Sequence, residues 1–212
     1  MFEGVVDWVT QVVETLGYGG VAFLVALENV FPPIPSEVIL PLAGFVAARG
    51  DASVVGMVLA ATVGSVVGAG VLYGLSAAIG HDRLHSFVAR YGRWFAVKES
   101  DLRRAEAWFD RRSGTAVLLG RCVPLIRSVV SIPAGFRRMQ PLRFSVYTAI
   151  GSLIWNAALV LAGAVLGDRW RQVGDVVGLL EGLVIVLVAV GVLYFLWIRV
   201  VRPRLPGSRD VR

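Results

Sequence analysis

The chain has 212 residues, of which 56% are hydrophobic and only 17% charged, and its mean hydropathy is +0.70. This composition is too apolar for an ordinary water-soluble domain and indicates a protein of the lipid bilayer. Lys and Arg number 21 against 15 Asp and Glu, but the basic clusters flank apolar segments, which favours membrane orientation over a nucleic-acid partner. The single cysteine, Cys122, excludes an intrachain disulfide.

Residues 1–16 form the first predicted element, an amphipathic helix. Apolar side chains recur at helical spacing from Val5 to Leu16, and Asp7, Gln11 and Glu14 lie between them. One face of such a helix is apolar and the other polar, so we expect it to lie along the membrane interface.

The apolar stretch at residues 19–48 is long enough to cross a bilayer, but Pro32, Pro33 and Pro35 interrupt it near the middle. Proline lacks a backbone N–H and ends a helix. Each arm then has about 12 residues and a length of about 18 Å, against a hydrocarbon core of about 30 Å. Neither arm crosses alone, which predicts a re-entrant hairpin whose tip is buried in protein.

Residues 53–79 form an uninterrupted apolar segment of about 40 Å, which predicts a full transmembrane helix. Two pairs of small residues, each pair spaced by four positions, predict that another helix approaches its backbone closely. The pairs are Gly64 with Gly68 and Gly70 with Gly74.

The second half of the chain shows a similar layout. Amphipathic residues 81–112 predict cytoplasmic interfacial helices, and the next apolar stretch is again broken, by Pro124 and Pro133. One membrane domain at 17–200 is expected, and it ends in a basic cytoplasmic tail at 201–212. Within it we predict a first half at 17–80 and a second half at 113–167, and the second half contains a span at 144–166. A polar connector at 167–182 follows. The last predicted span is at 183–198, and residues 176–180 can extend it.

A comparison of the chain with itself supports a duplicated architecture. A shift of 91 positions superposes Pro33 on Pro124, Val38 on Val129, and Ala-Gly-Phe at 43–45 on Ala-Gly-Phe at 134–136. Each half then reads as one broken hairpin followed by one long helix, which is the layout of a transporter repeat.

The arginines of the tail place the C-terminus in the cytoplasm, because positive charge is retained on that side. Counting the spans back from the tail, the second hairpin enters from the cytoplasmic face and the first from the outer face. The predicted fold is therefore all-α and membrane-embedded, with about three full transmembrane helices, interfacial helices, and two opposed re-entrant hairpins in an inverted repeat.

Four charged side chains lie inside the two broken stretches: Glu28 and Glu37 in the first, Arg121 and Arg127 in the second. One charge at the middle of a membrane segment costs roughly 2.5 to 3.5 kcal/mol, so four unpaired charges would cost about 10 kcal/mol or more. These residues must therefore face each other, water or a polar ligand. Because the hairpins approach from opposite sides, we expect the acids to meet the arginines near the midplane.

Guanidinium groups on both sides of a proline break are suited to bidentate capture of phosphate. Ser128, Ser131 and Asn156 are candidate polar neighbours of such an anion, although each also fits a hydrogen bond between helices. Glu28 and Glu37 could relay protons, since burial and nearby arginines act on their titration in opposite directions. The alternative is a static ion pair that only holds the hairpins together.

Two motifs in combination resemble the DedA family, whose members carry the SNARE-associated Golgi or VTT domain. The first is E-N-x-x-P-P-I-P-S-E at residues 28–37, and the second is G-R-x-x-P-x-x-R-S-x-x-S-x-P-A-G at residues 120–135. The resemblance covers residues 17–167. Further matching positions are Pro41, Ala43, Gly44, Met139, Gly151, Trp155 and Gly167.

The resemblance implies a bacterial inner-membrane protein in which two re-entrant hairpins face each other and which moves lipids across the bilayer. Family members recycle undecaprenyl phosphate or flip phosphatidylethanolamine, and proton-motive force is suggested to drive some of them. The membrane acids of the family fall on Glu28 and Glu37 of this chain, and the essential arginines fall on Arg121 and Arg127.

The expected function is therefore translocation of an anionic lipid phosphate, foremost undecaprenyl phosphate, with proton coupling and a homo-oligomer left open. The alternatives are a phospholipid flippase, a proton-coupled carrier of small ions or drugs, a membrane enzyme and a passive scaffold. His81 and His85 lie outside the hairpins, and the common hydrolase motifs do not occur. No enzymatic activity, cofactor or metal site is predicted.

Overall fold

The computed structural model describes residues 2–31, 36–91, 99–124 and 126–196, and every regular element in these ranges is helical, as predicted. The predictions for Pro32, Pro33, Pro35 and the tail at 201–212 fall outside the described residues. The elements are α1 (Phe2–Val30), α2 (Ser36–Val46), a π-helical turn (Ala47–Asp51), α3 (Val54–Ile79), α4 (His81–Tyr91), α5 (Glu99–Arg121), α6 (Ile126–Val129), α7 (Ser131–Phe136), α8 (Pro141–Leu166), a 3₁₀ turn (Gly167–Arg169) and α9 (Arg171–Leu196).

Within the described ranges, three helical segments are long and apolar enough to cross a membrane: Asp7–Val30 of α1, α3 and α8. Their outward faces carry apolar side chains, as in α3, where a stripe at four-residue spacing is at least 55% exposed. The stripe consists of Val55, Leu59, Val63 and Val67. An apolar surface around buried polar residues is typical of a protein whose solvent is lipid.

Helix α1 is divided at the position that the sequence pattern indicates. The predicted interfacial helix at 1–16 and the first hairpin arm are two helical segments of Phe2–Val30, separated by a kink at Gly17 (φ 52°, ψ −125°). Glycine tolerates this positive φ without a Cβ clash. The arm that is too short to cross by itself is therefore part of a 24-residue apolar segment, Asp7–Val30.

The C-terminal helix also begins earlier than predicted. A polar connector was expected at 167–182, but α9 starts at Arg171, so the connection consists of the 3₁₀ turn and Trp170. The polar residues at the start of α9 are thus helical. Its apolar part, Val176–Gly191, is shorter than the three long segments, and the end of the predicted span at 197–198 lies outside the described residues.

Glycines set how closely α1 and α3 pack. A Cβ on Gly64 would lie 2.2 Å from the backbone oxygen of Ala22, and one on Gly68 would lie 2.4 Å from the backbone oxygen of Ala26. The close approach predicted for this pair is confirmed. The second pair, Gly70 and Gly74, faces open space, so the same prediction is wrong there.

The short helices that follow the two breaks pack reciprocally. Helix α2 crosses α8 where a Cβ on Gly44 would lie 1.9 Å from the backbone oxygen of Val160. Helix α7 crosses α3 where a Cβ on Gly135 would lie 2.3 Å from the backbone oxygen of Tyr73. Each short helix thus packs on the long helix of the other half, whereas α1 packs on α3 and α5 on α8.

The substitution Gly64→Ala is expected to destabilise the protein by about 1 to 3 kcal/mol, because the added methyl group forces the backbones of α1 and α3 apart. Gly70→Ala is the matched control on the same helix, and we expect it to be neutral or stabilising by up to about 1 kcal/mol, since alanine is the better helix former. Thermal unfolding of both variants in detergent measures the difference. Equal unfolding temperatures would contradict the proposed packing.

Candidate functional site

Four polar side chains meet inside the protein where the end of α1 approaches the second break. Glu28 is 5% exposed, Asn29 2%, Arg121 2% and Arg127 7%. The first two come from the last turn of α1, and the other two come from opposite sides of the turn between α5 and α6. A polar cluster this deep in an apolar protein requires mutual pairing or a polar ligand.

The second break is built around Pro124. Helix α5 ends at Arg121, and the chain tightens into 3₁₀-type bonds from Cys122 N–H to the Leu119 oxygen (3.0 Å) and from Val123 N–H to the Gly120 oxygen (3.3 Å). Proline at 124 has no N–H with which to continue the helix. The chain resumes as α6 at Ile126, so Arg121 and Arg127 flank the turn and both point inward.

Pro133 has a smaller effect. It lies in the first turn of α7, where it cannot donate to the carbonyl of Val129, the residue at which α6 ends. Only Val130 separates α6 from α7, so the stretch Ile126–Phe136 runs as one short apolar helix with a local irregularity.

Arg127 is held by a carboxylate from the other half of the chain. Its Nη2 donates to Oε1 of Glu28, and both side chains are buried. The two residues are 99 positions apart, so this pair joins the end of α1 to α6. The expected meeting of an acid from the first stretch with an arginine from the second is present here.

Arg121 is held by neutral groups. Its Nη1 donates to Oδ1 of Asn29 at 2.9 Å and its Nη2 to Oγ of Ser131 at 2.7 Å, whereas Nε has no hydrogen-bond partner among the described residues. No described carboxylate forms an ion pair with it. Glu28 attracts this guanidinium at longer range, and Arg127 repels it.

Gly151 of α8 makes room for Arg121. A Cβ at position 151 would lie 2.7 Å from Cβ of Arg121 and 2.7 Å from the backbone oxygen of Leu118. The ring of Phe144 on the same helix lies 6.0 Å from the Arg121 guanidinium carbon, within the range of a cation–π contact. Helix α8 therefore forms one wall of the site.

The two predicted acids differ in their surroundings. Glu37 is buried on α2, and its Oε1 accepts a hydrogen bond from Oγ of Ser36 at 3.0 Å. Among the described residues no cation forms an ion pair with it. The expectation that Glu37, like Glu28, pairs with an arginine is therefore wrong for this structure, in which Glu37 lies on α2, packed against α8, and has Ser36 as its hydrogen-bond partner.

The predicted polar neighbours also separate. Ser131 contacts Arg121, and Ser128 is half-buried beside Arg127 on α6. Asn156 instead donates to Thr62 Oγ1 and Ser65 Oγ, both at 3.3 Å, and so links α8 to α3. The helix-to-helix alternative thus describes Asn156, and the structure does not bring it into the hydrogen-bond network of the two arginines.

Asn29 is the site residue for which the sequence predicted no role. It bonds Arg121 and also donates from Nδ2 to the Val25 carbonyl at 2.9 Å. An amide next to Glu28 in an apolar helix needs a buried partner, and that rule could have identified it.

Two surface openings lie along α5. One is an arginine-lined pocket of about 720 Å³, and the other is an apolar groove of about 490 Å³ along α5, α6 and α7. Trp108 and Arg112 line both, and the groove continues to Val123 and Ile126 at the second break. The arginines of the pocket are Arg103, Arg104, Arg111 and Arg112.

Comparison with known proteins defines the class. The VTT domain family matches residues 34–165, and the chain is 34% identical to "Undecaprenyl phosphate transporter A" of Staphylococcus aureus, covering 88% of this chain and 92% of that protein. It is 42% identical to an "Alkaline phosphatase-like protein" of Lactococcus lactis (86% of both chains) and 25% identical to "Protein DedA" of Escherichia coli (77% of this chain, 74% of that protein). No solved structure matches it.

The chain is therefore a membrane protein with transmembrane helices. It belongs to the VTT-domain family of membrane proteins, the DedA family, which confirms the resemblance carried by the two motifs.

Replacing either member of the buried ion pair is expected to destabilise the protein by about 3 to 5 kcal/mol, because the remaining charge is left without compensation. Glu28→Gln and Arg127→Gln test this by thermal unfolding in detergent. The double variant is expected to lose less than the sum of the two single changes, since it leaves no orphan charge. Strictly additive losses would contradict a direct pairing.

Proposed function

We propose that this protein translocates a lipid phosphate across the bacterial cytoplasmic membrane, with undecaprenyl phosphate as the leading substrate. The observation that carries the proposal is the buried Arg121, a cation bonded only to the neutral oxygens of Asn29 and Ser131 among the described residues. A buried guanidinium whose hydrogen-bond partners are neutral is suited to bind an anion.

The energetics favour exchange at Arg121. The bonds from the Arg121 guanidinium to Asn29 and Ser131 have a charged donor but neutral acceptors. A phosphate that takes the place of these acceptors adds the attraction between opposite charges and can bind in a bidentate way, and it leaves two neutral polar groups that can bond each other or water. Nε of Arg121, which has no partner in the described part of the chain, adds a donor.

Arg127 is the second anion-binding group in the proposal. It is engaged by Glu28, so a phosphate that reaches it competes with a carboxylate. Two guanidiniums close together repel each other, and a phosphate between them relieves this repulsion. We assign Arg121 the first contact and Arg127 the second, with Ser131 and Ser128 as neighbouring hydroxyl groups.

The groove supports a lipid rather than a free anion. It is apolar, it follows α5 to α7, and Val123 and Ile126, which line it, belong to the same turn region as the two arginines. A prenyl or acyl chain can stay in this groove and the surrounding lipid while the headgroup enters the protein. The name of the Staphylococcus aureus relative, undecaprenyl phosphate transporter A, points to the same substrate class.

The reciprocal packing of α2 on α8 and α7 on α3 supports an inverted repeat in which two re-entrant hairpins enter from opposite faces. Gly44 and Gly135, which make these two crossings, are also superposed by the 91-position shift. With a cytoplasmic C-terminus, the second hairpin faces the cytoplasm and the first faces outward.

In the proposed cycle no covalent bond changes. The headgroup binds Arg121 and then displaces Glu28 from Arg127, which releases the contact that joins the two hairpins. The released carboxylate can accept a proton, which would couple translocation to proton entry. The site opens toward the other face of the membrane if the lipid binds more tightly to that conformation than to the starting one, because a ligand shifts a conformational equilibrium only by the difference in its affinity for the two states. Glu28 rather than Glu37 is the relay acid in this scheme.

The alternatives predict different readouts. A phospholipid flippase would move phosphatidylethanolamine equally well, and a small-ion carrier would move protons without any lipid. The Lactococcus lactis relative is named for likeness to a phosphatase, so a hydrolase would release inorganic phosphate from the lipid.

Arg121→Lys is expected to lower undecaprenyl phosphate translocation in proteoliposomes by at least about tenfold, because a lysine ammonium cannot offer a phosphate the planar, bidentate set of donors that a guanidinium offers. Arg121→Ala is expected to reduce it to the rate of protein-free vesicles. Arg143→Ala removes an exposed arginine at the start of α8 and serves as the control with wild-type transport. Wild-type transport by both Arg121 variants would refute the proposal.

Lipid-binding mass spectrometry of the purified protein is expected to show undecaprenyl phosphate retained over phosphatidylethanolamine and over undecaprenol, which has the same chain without the phosphate. The preference should fall in Arg121→Lys, since the phosphate supplies the selective contacts. Equal retention of undecaprenol would show that the protein recognises only the prenyl chain of the lipid. Release of inorganic phosphate from the same samples would favour the hydrolase.

A further inference from the structure

A second polar cluster lies where α4 meets α5, away from the buried arginines. The only two histidines of the chain, His81 and His85, both contact Glu106. His81 Nε2 lies 3.1 Å from Glu106 Oε1, and His85 Nε2 lies 3.2 Å from the same oxygen. All three side chains are partly exposed and therefore accessible from solvent.

The spacing of these atoms matches a transition-metal site. His81 and His85 are one helical turn apart on α4, and their ring centres are 4.1 Å apart. One ligand atom from each of the three residues lies within 4.8 Å of the others. Zinc binds histidine nitrogen and carboxylate oxygen at about 2.0 to 2.2 Å in a tetrahedron, so neighbouring ligand atoms lie about 3.3 Å apart, close to the two distances found here.

The surrounding groups orient the three ligands. Asp82 Oδ1 lies 3.5 Å from Nδ1 of His81, on the side of the ring away from Glu106, as a carboxylate often does behind a metal-bound histidine. Arg137 Nη1 lies 3.8 Å from Oε2 of Glu106, and His85 Nε2 lies 3.2 Å from both oxygens of that carboxylate. Arg137 is itself held by Asp110 at 3.0 and 2.5 Å, and this bond raises the pKa of its guanidinium, so it stays charged.

We propose that His81, His85 and Glu106 bind one transition-metal dication of the zinc class, with solvent completing the coordination. Two imidazoles and one carboxylate form a donor set that such ions prefer over magnesium or calcium, which favour oxygen ligands. The sequence analysis predicted no metal site, so this proposal departs from it. The proposal does not rest on the proposed lipid transport, because Glu106 and Arg121 lie on opposite sides of the kink in α5 at Arg112 and share no contact partner among the described residues.

The ion would act as a clamp between α4 and α5. Helix α4 follows directly on α3, and α5 leads into the second break, so a bound metal joins the exit of one long helix to the first arm of the second hairpin. Arg137, which directly follows α7, connects the second arm to the same cluster through Glu106 and Asp110. A metal here would restrict movement of the second hairpin.

The test uses full-length protein purified with a tag that contains no histidine and freed of metal by chelation. Calorimetric titration with Zn²⁺ is expected to show one ion per chain and a raised unfolding temperature, and Mg²⁺ and Ca²⁺ should give neither effect. His85→Ala and Glu106→Gln should each weaken Zn²⁺ binding by more than about 100-fold, since each removes a direct ligand. Glu14→Gln, which changes an exposed carboxylate on α1, should bind as wild type does.

Co²⁺ provides a second measurement on the unmodified protein, so the result does not depend on whether the variants fold. A 1:1 Co²⁺ complex with visible absorption of four- or five-coordinate geometry is expected, and competing Zn²⁺ should bleach it. Absence of this spectrum, or Zn²⁺ affinity that His85→Ala and Glu106→Gln leave unchanged, overturns the proposal. In that case the three residues form hydrogen bonds only.

Discussion

The structure depends on the ion pair between Glu28 and Arg127, because a charge buried in an apolar protein is tolerated only when another part of the chain compensates it. The two residues belong to different halves and lie next to different helix breaks. Their pairing requires the end of α1 and the start of α6 to meet inside the protein. The other polar contacts of the site follow from this approach, since Asn29 and Arg121 are brought together by the same two segments.

Close helix contacts make that approach feasible. Missing side chains at Gly64 and Gly68 let α1 lie against α3, and the missing side chain at Gly151 leaves space for Arg121 against α8. In a membrane the apolar surfaces of helices gain little from leaving lipid, so van der Waals packing at such positions supplies much of the association. The polar cluster is therefore held by an apolar framework whose geometry is set largely by glycine.

The two arginines have unequal partners, and the proposed order of ligand binding follows from this difference. Arg127 is neutralised by a carboxylate, whereas Arg121 has neutral partners and a net attraction for an anion. In the proposed function a ligand therefore engages Arg121 first, and it breaks the contact between the halves only when it proceeds to Arg127. The apolar groove is lined by Val123 and Ile126 of the same turn region, where we propose that the apolar part of the lipid lies.

Composition and local pattern determined the membrane class, the helical content, the second break at Pro124 and the set of buried charges, because hydropathy and proline act within a few residues. Partner choice was decided by the tertiary structure alone. Glu28 rather than Glu37 reaches an arginine, and Asn156 binds Thr62 instead of the site. The physical reason lies in helix geometry. Adjacent residues of a helix point about 100° apart, so the rotation of a helix and the angle at which it crosses its neighbours decide which polar side chains meet. Both depend on contacts between residues that are far apart in the sequence.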